Sequence, residues 1–484
     1  MVYDVLGNKT GYTNKLGGTY LYTHDKLGRV LTEKAPVQVK ELDASGLIKL
    51  TNGQPTWKDV VTRFAYDARG NVISKTEAEG LFEQRITQYG YDLLDRLTTT
   101  TGEAMATYTV AGGEKLEAPV ETRAYDKRGN LIEVRAADGG RTLSYWDASD
   151  RKVAELSPTG TLTVWSYAAD GKPTAQRVYG DVLSLPAAPG GSAPAPSNAT
   201  NVREVLYAYD GNRRLVETRT KNVTTGSRDA TTGAYSVTTG DVVSTKEYDK
   251  AGNVVKEVDG RGNATFSYFD KLGNKTLQVD AEGYVTQWTY DEGGNVTSQT
   301  RYANALPVGT AVTPTSTNAS LLAAIPASSD NRVVKYSYDR MGRKTLERTL
   351  NVAYASVNAG NGELTEKLGS ALTLFEYNAL GAVTEKIDAT AAATQMSYDK
   401  QGRLIKTQAP QFVDWEGATV QPTTEVDYNG LGLQSRVIQR GKDDAVETDD
   451  RITQYVYGKN GVLTAERDPL GNTTSYGYDL AARV

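Results

Sequence analysis

Cysteine is absent from the 484 residues and histidine occurs once, at His24. Without thiols there are no disulfide staples, thiol nucleophiles or thiolate metal sites, and the redox compartment stays open. One imidazole leaves almost nothing from which to build a zinc site, a haem ligand pair or a histidine-based triad. Phenylalanine is scarce too, 6 residues against 30 Tyr. The charge balance, 54 basic against 59 acidic residues for a net -5, provides no electrostatic footprint for nucleic acid or an anionic membrane. No apolar run approaches the roughly 18 residues of a membrane span. The amino terminus, Met1-Val2-Tyr3-Asp4-Val5, shows no charged leader before an apolar stretch. Catalysis, resident cofactors, metals, nucleic-acid partners and membrane insertion are therefore not expected.

What is abundant points to strands joined by tight turns: tyrosine, threonine and valine, punctuated by 47 Gly. A search for self-similarity finds the hexapeptide Tyr-Asp-x-x-Gly-Asn/Arg at Tyr3 to Asn8. It recurs with Tyr66, Asp67, Gly70 and Asn71, with Tyr125, Asp126 and Gly129, and with Tyr248, Asp249 and Gly252. Further copies hold Tyr290, Asp291 and Gly294, then Tyr338, Asp339 and Gly342, then Tyr398, Asp399 and Gly402. Degenerate copies begin at His24, Tyr91, Tyr145, Tyr167, Tyr209, Tyr268, Tyr377, Tyr428, Tyr457 and Tyr478, about 17 in all. Starting points 248, 268 and 290, or 377 and 398, put the shortest unit at about 21 residues. A second turn signal lies midway, as in Asp259-Gly260-Arg261-Gly262-Asn263, so each unit holds two turns and two strands.

The residue choices have a physical reading. Asp at the start of a turn accepts backbone N–H bonds, and Gly three positions later supplies the positive φ that follows a type I turn in a common hairpin connection. Pairs such as Phe64/Tyr66, Trp165/Tyr167, Phe266/Tyr268, Trp288/Tyr290 and Phe375/Tyr377 sit two apart on one strand and so share a face. Stacked copy upon copy, they predict aromatic ladders on one face of an antiparallel sheet, with Thr, Ser, Lys and Glu on the other. Calcium at the aspartates is a weaker reading than turn capping, because one carboxylate per turn is a poor cage for a hard cation. Core packing likewise outweighs a sugar-stacking platform, and His24 reads as a substitution at a Tyr position. Asn263-Ala264-Thr265 and Asn295-Val296-Thr297 are glycosylation sequons that the turn grammar itself produces.

Longer gaps keep the Tyr-Asp turn and replace the second turn with polar insertions near 34–60, 101–119, 180–201, 221–241, 302–331, 351–370, 408–422 and 441–450. All eight are expected along the edge opposite the Tyr-Asp turns, with the proline-rich stretch from Leu183 to Asn201 a disordered loop. About 34 strands at about 4.8 Å spacing make a ribbon on the order of 160 Å long, which rolled into one ring encloses roughly 50 Å. The expected fold is all-β: a hollow spiral of antiparallel hairpin units, forming one continuous array over 1–484.

Tyr66-Asp67-Ala68-Arg69-Gly70-Asn71, Tyr338-Asp339-Arg340-Met341-Gly342-Arg343 and Tyr398-Asp399-Lys400-Gln401-Gly402-Arg403-Leu404 resemble the defining motif of RHS/YD-repeat proteins. That family includes bacterial RHS polymorphic toxins, the B and C subunits of Tc toxin complexes, and teneurins. The resemblance implies a secreted or surface shell that encloses a toxin or effector polypeptide, or alternatively an adhesion or carbohydrate- or protein-binding scaffold. It implies cargo polypeptide or neighbouring YD segments as partners; the array starting and stopping inside repeats reads as a fragment of a longer protein, and its unpaired end strands make self-association through open sheet edges an expectation. The autoprotease region of toxin members is not visible, and Asp468-Pro469-Leu470-Gly471 sits inside an ordinary repeat.

Overall fold

In the computed structural model, the described residues are 1–484 except 44–47, 109–113, 138, 197, 199, 229–230, 358–363, 431, 442–449, 458–462 and 478–484. The turn after Tyr457, the copy at Tyr478 and most of the insertion near 441–450 lie outside the described residues. The described residues are 56% strand and 2% helix, and 33 of the strands join in one antiparallel sheet. Among the described residues no helix is long and apolar enough to cross a membrane.

Each strand pairs with its neighbour in the chain. Val254–Val258 pairs Ala264–Phe269 through Lys256↔Phe266, and Ala264–Phe269 then pairs Lys275–Val279 through Tyr268↔Leu277. The register slips by one immediately before the Tyr-Asp turn in every described unit, for example between Thr289 and Tyr290. In the turn that follows, Gly adopts positive φ, as at Gly294. The insertions leave from the opposite edge. Those near 221–241 and 351–370 are extensions of the sheet itself, the hairpins Leu215–Arg228 with Tyr235–Tyr248 and Lys344–Val357 with Leu364–Tyr377. The insertion at 302–331 carries a short helix, Asn318–Ala324, whose first turn is capped by the Thr317 hydroxyl accepting from Ser320 N.

The core is patchy. Only twenty apolar residues are buried among those described, and most gather where an insertion folds back over the sheet. Leu306 and Leu321 cover Tyr268, Leu277, Val279 and Val285, and Tyr268 donates its hydroxyl to the Thr313 carbonyl at 2.8 Å. The stretch expected to be disordered, from Leu183 to Asn201, is instead tied down at its start. Leu183 and Leu185 pack on Leu143, Tyr145, Ala154, Leu156 and Leu162, and Arg141 donates to the Pro186 carbonyl at 2.6 Å.

Elsewhere both faces of the sheet remain in contact with solvent. The accessible area is 28347 Å² for 52.3 kDa. A compact monomer of that mass exposes about 17,500 Å² by the usual scaling. The excess is that of a wall with two wet sides.

The wall coils. Asn14 donates to the Arg340 carbonyl at 2.7 Å, Lys40 pairs with Glu376 at 2.6 Å and Lys400 with Glu103 at 2.5 Å. Leu380 packs on Val39, Val60, Ala78 and Leu81, and a Cβ at Gly430 would strike Glu117. Each contact joins residues 19 or 21 sheet strands apart. An odd offset brings opposite edges together, so the edge bearing the insertions in one turn of the coil abuts the Tyr-Asp edge of the next. The sheet is the expected spiral, and its turns are narrower than the roughly 50 Å that one ring of all the strands would enclose. At about 4.8 Å per strand, and allowing for strand tilt, each turn is roughly 30 to 40 Å across.

Small-angle X-ray scattering tests the open coil. The radius of gyration should lie clearly above the about 23 Å of a compact chain of this length, and a value at that figure would rule the coil out.

Candidate functional site: the Tyr-Asp edge and the coil seam

In the unit at Tyr290, Asp291 N donates to the Asn295 carbonyl at 3.0 Å and Gly294 N to the Asp291 carbonyl at 3.1 Å, with Gly294 at φ +85. Asp291 Oδ1 accepts from Asn295 N at 2.9 Å, and Asn295 Nδ2 donates to Asp291 Oδ2 at 3.0 Å. The carboxylate thus satisfies turn donors that have no strand partner. The same set recurs at Asp67, Asp126 and Asp249. Asp339 and Asp399 do likewise with Arg343 and Arg403, whose Nε atoms each lie 2.6 Å from the carboxylate.

Neighbouring turns are bound to one another. Tyr290 donates its hydroxyl to the Lys275 carbonyl at 2.7 Å, the first strand residue after the preceding turn. Tyr66 does so to Val30, Tyr91 to Val72, Tyr125 to Leu97, Tyr248 to Leu215, Tyr338 to Val296, Tyr377 to Lys344, Tyr398 to Val383 and Tyr428 to Leu404. Where the motif ends in Arg, the guanidinium stacks on the next tyrosine, 4.7 Å for Arg29 over Tyr66 and 4.3 Å for Arg403 over Tyr428. Arg29 also donates to the next turn's Asp67 carbonyl at 3.0 Å.

Two copies are out of phase in the sequence reading. Trp146 and Phe269, not Tyr145 and Tyr268, precede the turn aspartates, and Trp146 Nε1 donates to the Leu131 carbonyl at 2.9 Å just as a tyrosine hydroxyl would. Counted this way, 125, 146 and 167 are evenly 21 apart, and so are 248, 269 and 290. The even spacing was the available signal. Because Leu277 pairs with both Tyr268 and Gln287, Tyr268 shares a face with Gln287 and lies opposite Trp288 and Tyr290. The Phe266/Tyr268 pair therefore leaves the expected ladder and joins the core under the 302–331 insertion.

The sequence reading also missed Asp95 and Asp150, which stand where the motif has Gly and hold φ of 59 and 55. Their carboxylates accept from Asn71 Nδ2 at 2.7 Å and Asn130 Nδ2 at 2.8 Å, tying each turn to its neighbour and offsetting the strain. His24 occupies its Tyr position paired with Val30, with Nδ1 buried and unpartnered. Among the described residues no three His, Asp or Glu cluster as metal ligands would.

At several turns, on both edges, the carboxyl is held more firmly than usual in its ionised form. The Asn8 amide, then the Asn8 backbone N–H, draws Asp4 below its ordinary 3.8, and Asn263 and Asn274 do the same for Asp259 and Asp270. The Arg151 side chain, then its N–H, lowers Asp147.

Three stretches, 66–104, 125–177 and 269–305, match the family described as RHS Repeat. Among solved structures the chain is similar to a component of the Photorhabdus luminescens Tc holotoxin pore, at 12% identity and TM-score 0.47, covering 96% of this chain and 25% of that one. It is also similar to the TcdB2-TccC3 crystal structure, at 13% identity and TM-score 0.43, covering 92% of this chain and 27% of that one. The chain thus spans about a quarter of the length of these structures. No curated protein matches it.

Two outcomes test the edge. Tyr290→Phe should cost about 0.5–1.5 kcal/mol by denaturant titration, and Phe269→Tyr, which adds a hydroxyl facing the position of the Val254 carbonyl, should recover a comparable amount. The folded state binds fewer protons than the unfolded chain near pH 3.8. The carboxyl contribution is therefore present above that pH and lost as acidity increases below it. Urea midpoints should fall between pH 5 and pH 3, and a flat profile would remove the carboxylates from the account.

Proposed function

We propose, from the premise that this chain is an RHS-repeat protein, that it is a section of wall that encloses a polypeptide cargo, a toxin or effector domain, in a secreted or surface bacterial protein. The array is taken as one continuous unit over 1–484 within a longer protein, its function mechanical and not enzymatic. Tyr66, Asp67, Gly70 and Asn71, with their counterparts through Gly402, serve as the structural turns of that wall.

The observation that supports this reading is the coil itself: a sheet that returns onto its own edge after 19 or 21 strands while exposing 28347 Å². With a sheet about 10 Å thick, a turn roughly 30 to 40 Å across leaves a bore wide enough for a polypeptide in extended or helical form, since a helix needs about 10–12 Å. A wall held together by edge turns leaves its faces free, and enclosure requires that freedom.

A second reading, an adhesion or ligand-binding scaffold, draws support from the insertion near 408–422. Its small hairpin, Phe412–Val413 with Thr419–Val420, presents Trp415 at 91% exposure. Exposed aromatic residues at a loop tip suit a carbohydrate or protein ligand.

Protease digestion of the full-length gene product separates the two. Enclosure predicts a second polypeptide that survives digestion while the wall is folded and is degraded once the wall is denatured. Degradation of every segment outside the repeats in the native state would overturn enclosure, and loss of surface binding in Trp415→Ala would favour the scaffold.

A further inference from the structure

The register sorts the side chains of each unit onto two faces. Counting back four and two places from the tyrosine that precedes the turn gives Thr62 and Phe64 before Tyr66, and Thr286 and Trp288 before Tyr290. Pairing carries these positions onto one face, since Phe64 lies opposite Lys75, and Lys75 opposite Thr87 of the next unit. Threonine is thus not confined to the face opposite the rings but also forms a row beside them. The other face holds the apolar patches that insertions cover. Leu183 packs on the cluster of Leu143, Leu156 and Leu162, and Leu306 and Leu321 belong with Leu277 and Val285, all out of phase with the threonine and ring rows.

The two faces differ in exposure even where the residue type is the same. From Tyr20 to Tyr455, no residue four or two places before the tyrosine position is exposed. Thr62, Thr87 and Thr286 are half-buried, whereas Thr23 and Thr289 on the other face are exposed. Ser144 and Ser267 are 8% and 6% exposed, whereas Ser337 and Ser397 lie open on the other face. Curvature has this effect. Side chains reach about 5 Å from the mid-plane of a sheet, so on a coil of roughly 15 to 20 Å radius neighbours crowd to about 70% of their spacing on the concave face and spread to about 130% on the convex one. The insertions point the same way. The covered strands Lys152–Leu156 and Lys275–Val279 lie eight sheet strands apart in a turn of 19 or 21, nearly on opposite sides. Two layers of about 10 Å pointing inward would fill a bore of roughly 20 to 30 Å, and pointing outward they leave it open.

We propose that the face bearing the threonine, ring and tyrosine rows is the concave one, that it lines the bore, and that an enclosed polypeptide rests on it while the insertions build outward. The contact depends on the reading of the chain as an enclosing wall, and the orientation of the faces does not. Chemistry identifies the occupant. The rows offer the bore threonine hydroxyls, which both donate and accept, and aromatic rings. From Tyr20 to Tyr457 fixed charge enters them only at Glu121, Arg123 and Lys246; Glu121 pairs with Arg123, and Lys246 with Glu257 at 3.5 Å. The returning strands add both signs to the same face, as at Lys75 and Glu155. Peptide groups and apolar side chains match such a surface, and a polyanion does not. The occupant is held as a polypeptide and not by the sign of its charge.

The 484-residue chain has no cysteine, so single substitutions report each face without background. Thr286→Cys and Thr289→Cys stand three residues apart on the strand Val285–Tyr290. Each is reacted with a small maleimide and with a maleimide on a long poly(ethylene glycol) chain. The rate with the polymer, divided by the rate with the small reagent, should be at least tenfold lower for Thr286→Cys than for Thr289→Cys, and the two ratios should become equal in urea. Equal ratios in the folded chain, or a lower ratio for Thr289→Cys, would overturn the orientation. Should either variant fail to fold, Thr394→Cys with Ser397→Cys on Ala393–Tyr398 gives the same comparison. The contact is read in the full-length gene product carrying a photoreactive side chain in place of Thr286 or of Thr289. Crosslinks to a segment outside the repeats are expected from the first position and not from the second. Crosslinks from the second, alone or equally, would overturn the contact surface while enclosure stands, and crosslinks from neither, with the polymer still excluded, would overturn enclosure and the contact together.

Discussion

The carboxylate of the turn aspartate is the interaction on which the rest of the structure depends. A sheet of 33 strands is joined by 32 reversals, and each leaves backbone N–H groups outside the strand ladder. In the Tyr-Asp turn the carboxylate takes up two of them and holds the Asn or Arg that closes the turn, and this frees the tyrosine to span to the preceding unit. Local satisfaction at the edge therefore becomes coupling between repeats. The hydroxyl network reinforces the strand pairing that joins one hairpin to the next, and that coupling matters because a two-stranded unit alone buries too little to be stable in water.

Stability is concentrated at an edge, and this explains the sparse core. Where an insertion folds back, as Leu306 and Leu321 do over Leu277 and Val285, a conventional apolar patch forms. Between such patches the wall is held by strand pairing, edge turns and the seam. The seam combines polar contacts, such as Lys40 with Glu376 and Asn14 with the Arg340 carbonyl, with the apolar packing of Leu380 on Val39, Val60, Ala78 and Leu81. Exposed ion pairs of this kind contribute little individually, so the coil's diameter is set chiefly by the twist accumulated along the sheet and the seam selects its register.

The local grammar was legible because it is local. Asp-x-x-Gly fixes its own turn within six residues, and the edge that carries insertions follows from strand alternation. The phase of Trp146 and Phe269 was misread because an adjacent tyrosine, Tyr145 or Tyr268, imitates the motif, while only the turn residues downstream define the position. Asp95 and Asp150 were missed because their role lies in a contact with Asn71 and Asn130 one repeat away. The coil period could not be read from the sequence at all. It arises from small rotations summed over 19 or 21 strands, and no residue pair spaced so widely bears a mark of it. The folding back of Leu183 and Leu185 was hidden for a similar reason, as a proline-rich composition says nothing of the surface it will meet.

The odd strand offset has a geometric consequence. A sheet whose opposite edges meet is a one-start screw, whose pitch is about one strand length, roughly 20 Å for six residues. Lengthening such a screw by whole repeats adds height at constant diameter, so its length grows in proportion to repeat number. Duplicating or deleting a 21-residue unit would slide the threads past one another without breaking them, and the architecture can change volume through its gene without redesigning its cross-section.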